Sequence, residues 1–176
     1  MTDHYLPIVL EEAHQLANHQ PELAQSTEQP AHEYLRYAVL QLLEADADDT
    51  YTDVDPVHDV TVGYGMDQAM FDHWASEVDW WESIPPQENC TRFRIFYSNE
   101  QDAVPRTVVD VMAALGAWHV WTGEASEHGS YDHCDRHEVH YLWPKHHPIE
   151  ELLTSRLQST QSIVESSGVH SRNSTR

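Results

Sequence analysis

Apolar residues recur at helical spacing in the first quarter of the chain. Over residues 6–19 they fall three or four positions apart, and a second stripe of the same kind covers residues 31–45. This spacing places them on one face of a helix. The sequence therefore predicts two amphipathic helices, with apolar positions Leu6, Val9, Leu10, Ala13, Leu16 and Ala17 in the first and Leu35, Ala38, Val39, Leu42 and Leu43 in the second.

The pattern changes after the second helix. The acidic residues 46–50 are expected to form a solvated loop. Residues 57–64 alternate and include several β-branched side chains, which predicts a short strand. Helical spacing returns over residues 67–82, and the Pro-Pro pair at 85–86 ends this helix because proline interrupts helical hydrogen bonding. We place a domain boundary at this pair.

Strand and helix signals alternate in the second half of the chain. Residues 91–97 predict a strand with one apolar face, while Arg92 and Arg94 share the other face. A helix is expected over residues 105–116, and Asp102 is a candidate for its cap. Two strands, residues 118–122 and 137–143, follow as a hairpin, and a last helix opens at Pro148.

This order of elements predicts an α+β fold. Its core is a small antiparallel sheet in a β-α-β-β-α arrangement over about residues 91–166, with the N-terminal helices packed beside it. We divide the chain into a helical N-terminal region with one short strand (1–85), an α+β core (86–166) and a polar, disordered tail (167–176).

The charge balance is strongly acidic. Nine basic residues oppose 30 acidic ones, which gives a net charge of −21, and Lys145 is the only lysine. Depletion of lysine together with dense carboxylates is typical of proteins that work in multimolar salt, where screening removes the repulsion among like charges. We therefore expect a halophilic organism. Imitation of DNA by the carboxylates is a weaker alternative, because they are scattered along the chain.

The sequence shows no membrane or export signal. No apolar run approaches the length of a bilayer span, and the first residues lack the basic start of a signal peptide. With only two cysteines, Cys90 and Cys134, nothing indicates an oxidising compartment. A cytoplasmic protein without a membrane partner is the expectation.

Histidine is unusually frequent, with 14 in the chain. The histidines concentrate in and beside the loop of the predicted hairpin, which also holds a cysteine. Imidazole and thiolate are ligands that Zn²⁺ prefers. The candidate metal ligands are therefore His128, His133, Cys134, His137, His119 and His140, and Zn²⁺ is the candidate cofactor.

A polar loop that is merely rich in histidine is the competing interpretation, and we favour it. Neither a C-x₂-C pair nor an H-E-x-x-H motif accompanies these residues. His137 and His140 are three positions apart, so on a strand they point to opposite faces. His119, on the preceding strand, is expected to face His140 across the hairpin.

No catalytic apparatus is recognisable. The sequence contains no G-x-S-x-G, G-x-x-x-x-G-K-[ST] or G-x-G-x-x-G motif. Cys134 has imidazole neighbours, but the acidic residues around it disfavour a reactive thiolate. No catalytic residue is assigned, and we lean towards a protein that is not an enzyme.

From residue 105 onward, a helix, a hairpin and a second helix follow one another as in a winged helix. The resemblance is limited to this order of elements. Phosphate contacts need cations, and the loop and helix in question are mainly acidic. Nucleic acid as a partner is therefore unsupported by charge. Arg92 and Arg94 are expected to pair with carboxylates on their own sheet face.

These observations predict a non-enzymatic binding or regulatory module that acts through protein–protein contacts. One of the adjacent tryptophans Trp80 and Trp81 cannot face inward and is expected at such a contact, in a homodimer or with another protein. A metal-binding protein that uses the histidine-rich loop is the first alternative, and a winged-helix-like regulator is the second.

Overall fold

A five-stranded sheet with five helices forms the part of the chain that the computed structural model describes, residues 4–54, 59–78, 89–97, 103–124 and 137–170. The helices are α1 (Tyr5–His19), α2 (Pro30–Asp46), α3 (Gln68–Val78), α4 (Arg106–Leu115) and α5 (Pro148–His170). The strands are β1 (Thr50–Val54), β2 (Asp59–Tyr64), β3 (Cys90–Tyr97), β4 (Trp118–Glu124) and β5 (His137–Pro144). The predicted α+β class is confirmed.

The predicted acidic loop, residues 46–50, is limited to residues 47–49, and strand β1, which follows it, was not predicted. Helix α2 continues through Asp46, and the chain then enters β1 at Thr50, which pairs with Tyr64 of β2 in antiparallel register. The β-branched residues of β1 suit an extended backbone. Asp53 does not disturb the strand, because it is solvent-exposed at the edge of the sheet.

The sheet has the strand order β1-β2-β3-β5-β4 and is mixed. Three of its four pairings are antiparallel, including both pairings within residues 91–166, where the antiparallel core was predicted. β2 lies outside that range and runs parallel to β3. A parallel neighbour requires a crossover connection. The segment that contains α3 provides it, because it leads from the end of β2 to the start of β3.

One layer of helices covers one face of the sheet. Helices α1, α2, α4 and α5 pack together and bury Phe93, Ile95 and Tyr97 of β3, as the alternation in the sequence predicts. The buried cluster runs from Val9 in α1 to Leu153 in α5. Residues from both sides of the Pro-Pro pair therefore share one sheet and one apolar core.

Helix α4 begins at Arg106, with Pro105 at its N-cap position. The cap proposed from the sequence, Asp102, lies outside the described residues. At the other end Gly116 adopts φ 77°, a left-handed conformation in which glycine avoids the strain of a side chain. The chain then turns directly into β4.

Helix α5 continues to His170 and includes residues 167–170 of the predicted tail. Its serines and threonines do not disrupt it, because hydroxyls such as that of Ser162 donate to the carbonyl four residues earlier. Thr160 also contacts His14 of α1, with 3.1 Å between Oγ1 and Nε2. Residues 171–176 lie outside the described part. None of the described helices has the length and apolarity needed to cross a lipid bilayer.

Candidate functional site

The predicted metal ligands are only partly within the described structure. His128, His133 and Cys134 lie outside it. His137 and His140 belong to β5 and point to opposite faces, as expected from their spacing, since His137 stacks on Tyr97 within the helix-covered face. Among the described residues, no group of three His, Cys, Asp or Glu side chains is placed to hold a metal ion.

His119 does not face His140, and that prediction is wrong. The register places Tyr141 opposite His119 and places Trp121 opposite His140. A β-bulge shifts the pairing between His119 and Trp121, so a side chain later in β4 occupies the expected position. The Trp121 ring contacts His140 edge-on, with 5.4 Å between the ring centroids.

The sheet face opposite the helices carries an ion pair between a buried arginine and a partly exposed aspartate. Arg92 is 1% exposed. Its Nε donates to Oδ1 of Asp59 on β2 at 3.1 Å, and its Nη2 donates to Oδ2 of the same carboxylate at 2.5 Å. A planar guanidinium matches a carboxylate in this two-point arrangement. The expected pairing of this arginine with a carboxylate on its own face is confirmed.

A second group of charges lies beside this pair on the same face. Arg94 is 2% exposed and lies 3.6 Å from an oxygen of Glu138 on β5. The same oxygen accepts a hydrogen bond from Nε2 of His140 at 2.5 Å. Glu138 therefore connects an arginine and a histidine that are both buried, and the predicted pairing of Arg94 with a carboxylate is confirmed as well.

The Glu138–His140 pair has a defined chemical capacity. With Nε2–H bound to the carboxylate, the neutral ring presents Nδ1 as a lone-pair donor, and Nδ1 has no hydrogen-bond partner among the described residues. A carboxylate that orients a histidine in this way is a common arrangement behind metal ligands and general bases. One histidine does not by itself form a metal site, which usually needs three or four ligands.

A third polar cluster lies within the helix-covered face. His32 of α2 is 1% exposed and lies flat on Trp143, with the ring centroids 3.9 Å apart. Its Nε2 is hydrogen-bonded to the Thr91 hydroxyl at 2.7 Å, while Nδ1 lies 3.5 Å from an oxygen of Glu150. The cluster joins α2, β3, β5 and the start of α5.

The turn between β5 and α5 is held by a histidine cap. Nδ1 of His147 accepts the N–H of Ile149, and Glu150 accepts the N–H of His147 at 2.8 Å. This reciprocal pattern is a capping box with histidine in the place of serine. Burial lowers the pKa of His147 below its ordinary value of 6.5, and the nearby carboxylate of Glu150 opposes the shift. The preceding residue, His146, has φ 64°.

Two clefts flank the N-terminal end of α2. The larger, of about 480 Å³, is bordered by this end and by the first turns of α5. The smaller, of about 250 Å³, is lined by His32, Glu33, Thr27 and Lys145 among others. Glu28 and Gln29 border both clefts.

Exposed apolar side chains concentrate on β4 and the end of α5. Trp118 is 60% exposed and Val120 is 40% exposed on β4, which is an edge strand of the sheet. On α5, Ile163 and Val164 are each 65% exposed. The tryptophans singled out in the sequence, residues 80 and 81, lie outside the described part.

The hairpin compared with a wing is part of the central sheet. β5 pairs with β3 along its whole length as well as with β4, so it is not a free ribbon. Comparison with known proteins finds no match for the chain: no protein-family model, no curated protein and no solved structure is similar to it.

The sequence analysis missed the polar cluster around His32. A signal for it existed, because His32 and Arg36 fall on the same helical stripe as the apolar residues of α2, at positions that the structure buries. Glu150, three positions after His147, likewise occupies the position of a capping-box glutamate. Neither pattern shows which partner the buried imidazole meets.

Proposed function

We propose that the protein is a non-enzymatic binding or regulatory module that acts through protein–protein contacts, and that β4 is its contact surface. The observation that carries this proposal is the exposure of Trp118 on an edge strand. Tryptophan is enriched among the residues that dominate binding energy at protein interfaces. An edge strand also offers unpaired backbone groups to an extended segment of a partner.

The energetic gain from covering this strand is considerable. Trp118 leaves more than half of its surface in water, and Val120 lies close to it on the same strand. Burial of a mostly exposed tryptophan is worth about 2–3 kcal/mol. The bulge at this position twists the edge, which limits indiscriminate pairing with other strands. A specific partner, either a second copy or another protein, is therefore the expected occupant.

The test compares two surfaces of the same molecule. In the double variant W118S/V120S we expect loss of self-association, measured by sedimentation velocity at 2 M KCl, if the partner is a second copy. If the partner is a different protein, a photo-crosslinking residue at position 118 should give a discrete adduct in cells of the source organism. The control I163S/V164S changes two apolar residues on α5 that are more exposed than Trp118 and Val120.

Equal effects of both double variants would count against β4 as the specific surface. The proposal fails if the protein is a monomer at all concentrations tested and position 118 gives no adduct. It also fails if the purified protein turns over a substrate in an activity screen.

We infer, in addition, that the module works in concentrated salt. The basic residues support this, because three of the five arginines in the described part are buried and each of the five lies near a carboxylate: Arg36, Arg92, Arg94, Arg106 and Arg156. Most arginines of the described part are therefore buried beside carboxylates within the fold, and the exposed charged groups are mainly acidic. Dense exposed carboxylates are tolerated when salt screens them.

Metal binding is a second candidate function, and the Glu138–His140 pair favours it. A carboxylate-oriented imidazole with a free Nδ1 is the form in which histidine usually binds Zn²⁺. Elemental analysis of untagged protein, purified without chelator, should then give about one equivalent of metal. The variant H140Q should lose it, as should the double alanine variant of His133 and Cys134, whereas H137A should keep it because His137 lies on the opposite face of the sheet. A metal-free wild-type protein would eliminate this candidate.

A further inference from the structure

A β-bulge brings two tryptophans of β4 to the same face of the sheet. Trp118 and Trp121 are three positions apart, a spacing that on a regular strand would turn their side chains to opposite faces. Val120, the extra residue of the bulge, has no partner in the register with β5, so Trp118 lies opposite Leu142. Trp121 lies opposite His140, which shares a face of β5 with Leu142 because the two are two positions apart. Both tryptophans therefore lie on the face opposite the helices.

The Trp121 ring is held in place on this face. It meets His140 edge-on, with 5.4 Å between the ring centroids, and it lies against the backbone of Gly123, where a side chain would displace it. Trp118 and Val120, in contrast, are 60% and 40% exposed. The β4 strip, as we name residues 118, 120 and 121, thus combines one fixed ring with two exposed apolar side chains.

The β4 strip lies in the longest uncharged run of the chain. Residues 111–123 include no Asp, Glu, Lys or Arg, although 22% of the whole chain is charged. The part of this run that belongs to α4 is largely buried, so its exposed side chains are mainly those of β4. A protein with a net charge of −21 therefore keeps one exposed strand segment free of charge.

A surface without charge of either sign fits a partner surface of the same kind. A second copy offers one, because a two-fold contact places the same residues on both sides. Two copies with a net charge of −21 repel each other, but at 1 M salt the Debye length is about 3 Å. Only charges in close contact then oppose association, and the β4 strip contains none.

The exposed area sets the expected strength of such a contact. A tryptophan buries roughly 150–250 Å². Two copies of the β4 strip with their immediate neighbours therefore give a contact below the total of about 1,200 Å² at which stable interfaces begin. We expect a dimer in exchange with the monomer, with a Kd on the order of 100 µM.

We propose that the protein forms a transient two-fold homodimer in which the β4 strips of two copies pack against each other. This inference rests on the proposed function, because it names the partner of the same contact surface. The interface contains no ion pairs, so the affinity stays constant or increases as KCl rises from 1 to 3 M. A contact built on ion pairs would weaken over this range.

Photo-crosslinking of the purified protein tests the two-fold contact. A benzophenone amino acid replaces Trp118, and an equal mixture of ¹⁵N-labelled and unlabelled protein is irradiated in 2 M KCl. We expect an adduct of mixed isotope content that joins position 118 of one copy to the tryptic peptide 107–136 of the other, which contains the β4 strip. The same photo-crosslinker in place of Ile163, which is 65% exposed on α5, should give no dimer.

Two matched valine variants test the surface without a crosslinker. V120S and V164S each remove an exposed valine, the first from β4 and the second from α5. In sedimentation velocity at 2 M KCl, V120S should raise the Kd of the dimer by about fivefold and W118S by about tenfold or more. V164S should leave the Kd within about twofold. Circular dichroism verifies that each variant is folded.

Failure of this inference differs from failure of the proposed function. If the purified protein remains a monomer without a mixed adduct, while position 118 captures a different protein in cells, the second copy is the wrong partner but the contact surface stands. If position 118 captures nothing in either experiment, both proposals fail. An adduct that maps outside residues 107–136, or equal effects of V120S and V164S, would overturn the two-fold contact at β4.

Discussion

His32 lies parallel to Trp143, with 3.9 Å between the ring centroids and an interplanar angle of 8°. This stack places a polar ring inside an apolar core, where its Nε2 can reach only the Thr91 hydroxyl and its Nδ1 faces Glu150. The helix α2 is thereby tied to β3, to β5 and to the start of α5. The free energy of unfolding should depend on each member of this cluster.

We predict that His32 and Thr91 are energetically coupled. H32F keeps a ring on Trp143 but leaves the Thr91 hydroxyl buried without its partner, and T91V does the converse. Each should lower the free energy of unfolding by about 1–3 kcal/mol. The double variant should cost less than the sum by about 1 kcal/mol. Urea denaturation at constant KCl measures this cycle, and strictly additive costs would show that the contact contributes nothing.

The ion pair of the buried Arg92 on the opposite face should matter more than an exposed one. D59N removes a carboxylate from Arg92, which is 1% exposed, and we expect a loss of about 2 kcal/mol because the guanidinium stays buried and loses a charged hydrogen-bond partner. The control D110N breaks the exposed pair with Arg106 and should cost less than about 1 kcal/mol. Urea denaturation of both variants checks this, and equal losses would contradict the structural difference.

The cap of α5 should make stability depend on pH. Because burial lowers the pKa of His147 below 6.5, the unfolded chain binds this proton more readily than the folded one. The contribution of the neutral cap is therefore complete above about pH 6.5 and is lost as the pH falls through that value towards the lower pKa of the folded state. Protonation of Nδ1 would also remove the acceptor for the N–H of Ile149.

H147S should separate capping from titration. Serine is a preferred N-cap residue, so this variant should keep the helix start while its melting temperature falls less than that of the wild type between pH 7 and pH 5.5. H19Q, at the exposed end of α1, is the control and should leave the pH profile unchanged. An identical acid-induced decline in H147S and wild type would refute the role of this cap.

Salt should be required for a compact state. Repulsion among the excess negative charges of a chain with net charge −21 is weakly screened in dilute buffer. We expect the fold to loosen below roughly 0.5 M KCl, with a falling melting temperature and loss of near-ultraviolet circular dichroism. Unchanged spectra and melting temperatures between 0.1 and 3 M KCl would contradict adaptation to concentrated salt.

Local patterns in the sequence predicted most elements within a few residues. The stripe that ends at Leu43 and the alternation around Phe93 are readable because each depends on one element and one core face. β1 was not predicted because the acidic residues on both sides of it favour a loop, and only its pairing with β2 shows the strand. The parallel pairing of β2 with β3 joins residues that are far apart in the sequence, and the local spacing of apolar residues gives no information about such pairing.

The candidate site was harder to predict than the fold. The pairing of Arg92 and Arg94 with carboxylates followed from their shared face, but nothing local indicated that both would be buried. The residue opposite His119 is set by a β-bulge, and no sequence motif predicts that bulge. The cleft at Lys145 combines residues from both halves of the chain, so only the three-dimensional arrangement brings them together.

The position of β5 has a consequence for synthesis of the protein. β5 lies between β3 and β4 although it follows both in the chain. During synthesis, β3 and β4 therefore leave the ribosome before β5, the strand that lies between them. The contact between Arg94 and Glu138 can form only after β5 has left the exit tunnel. A nascent chain that stops before His137 presents an open β3 edge to any other extended segment. The sheet is thus completed when its last strand, β5, pairs with both β3 and β4.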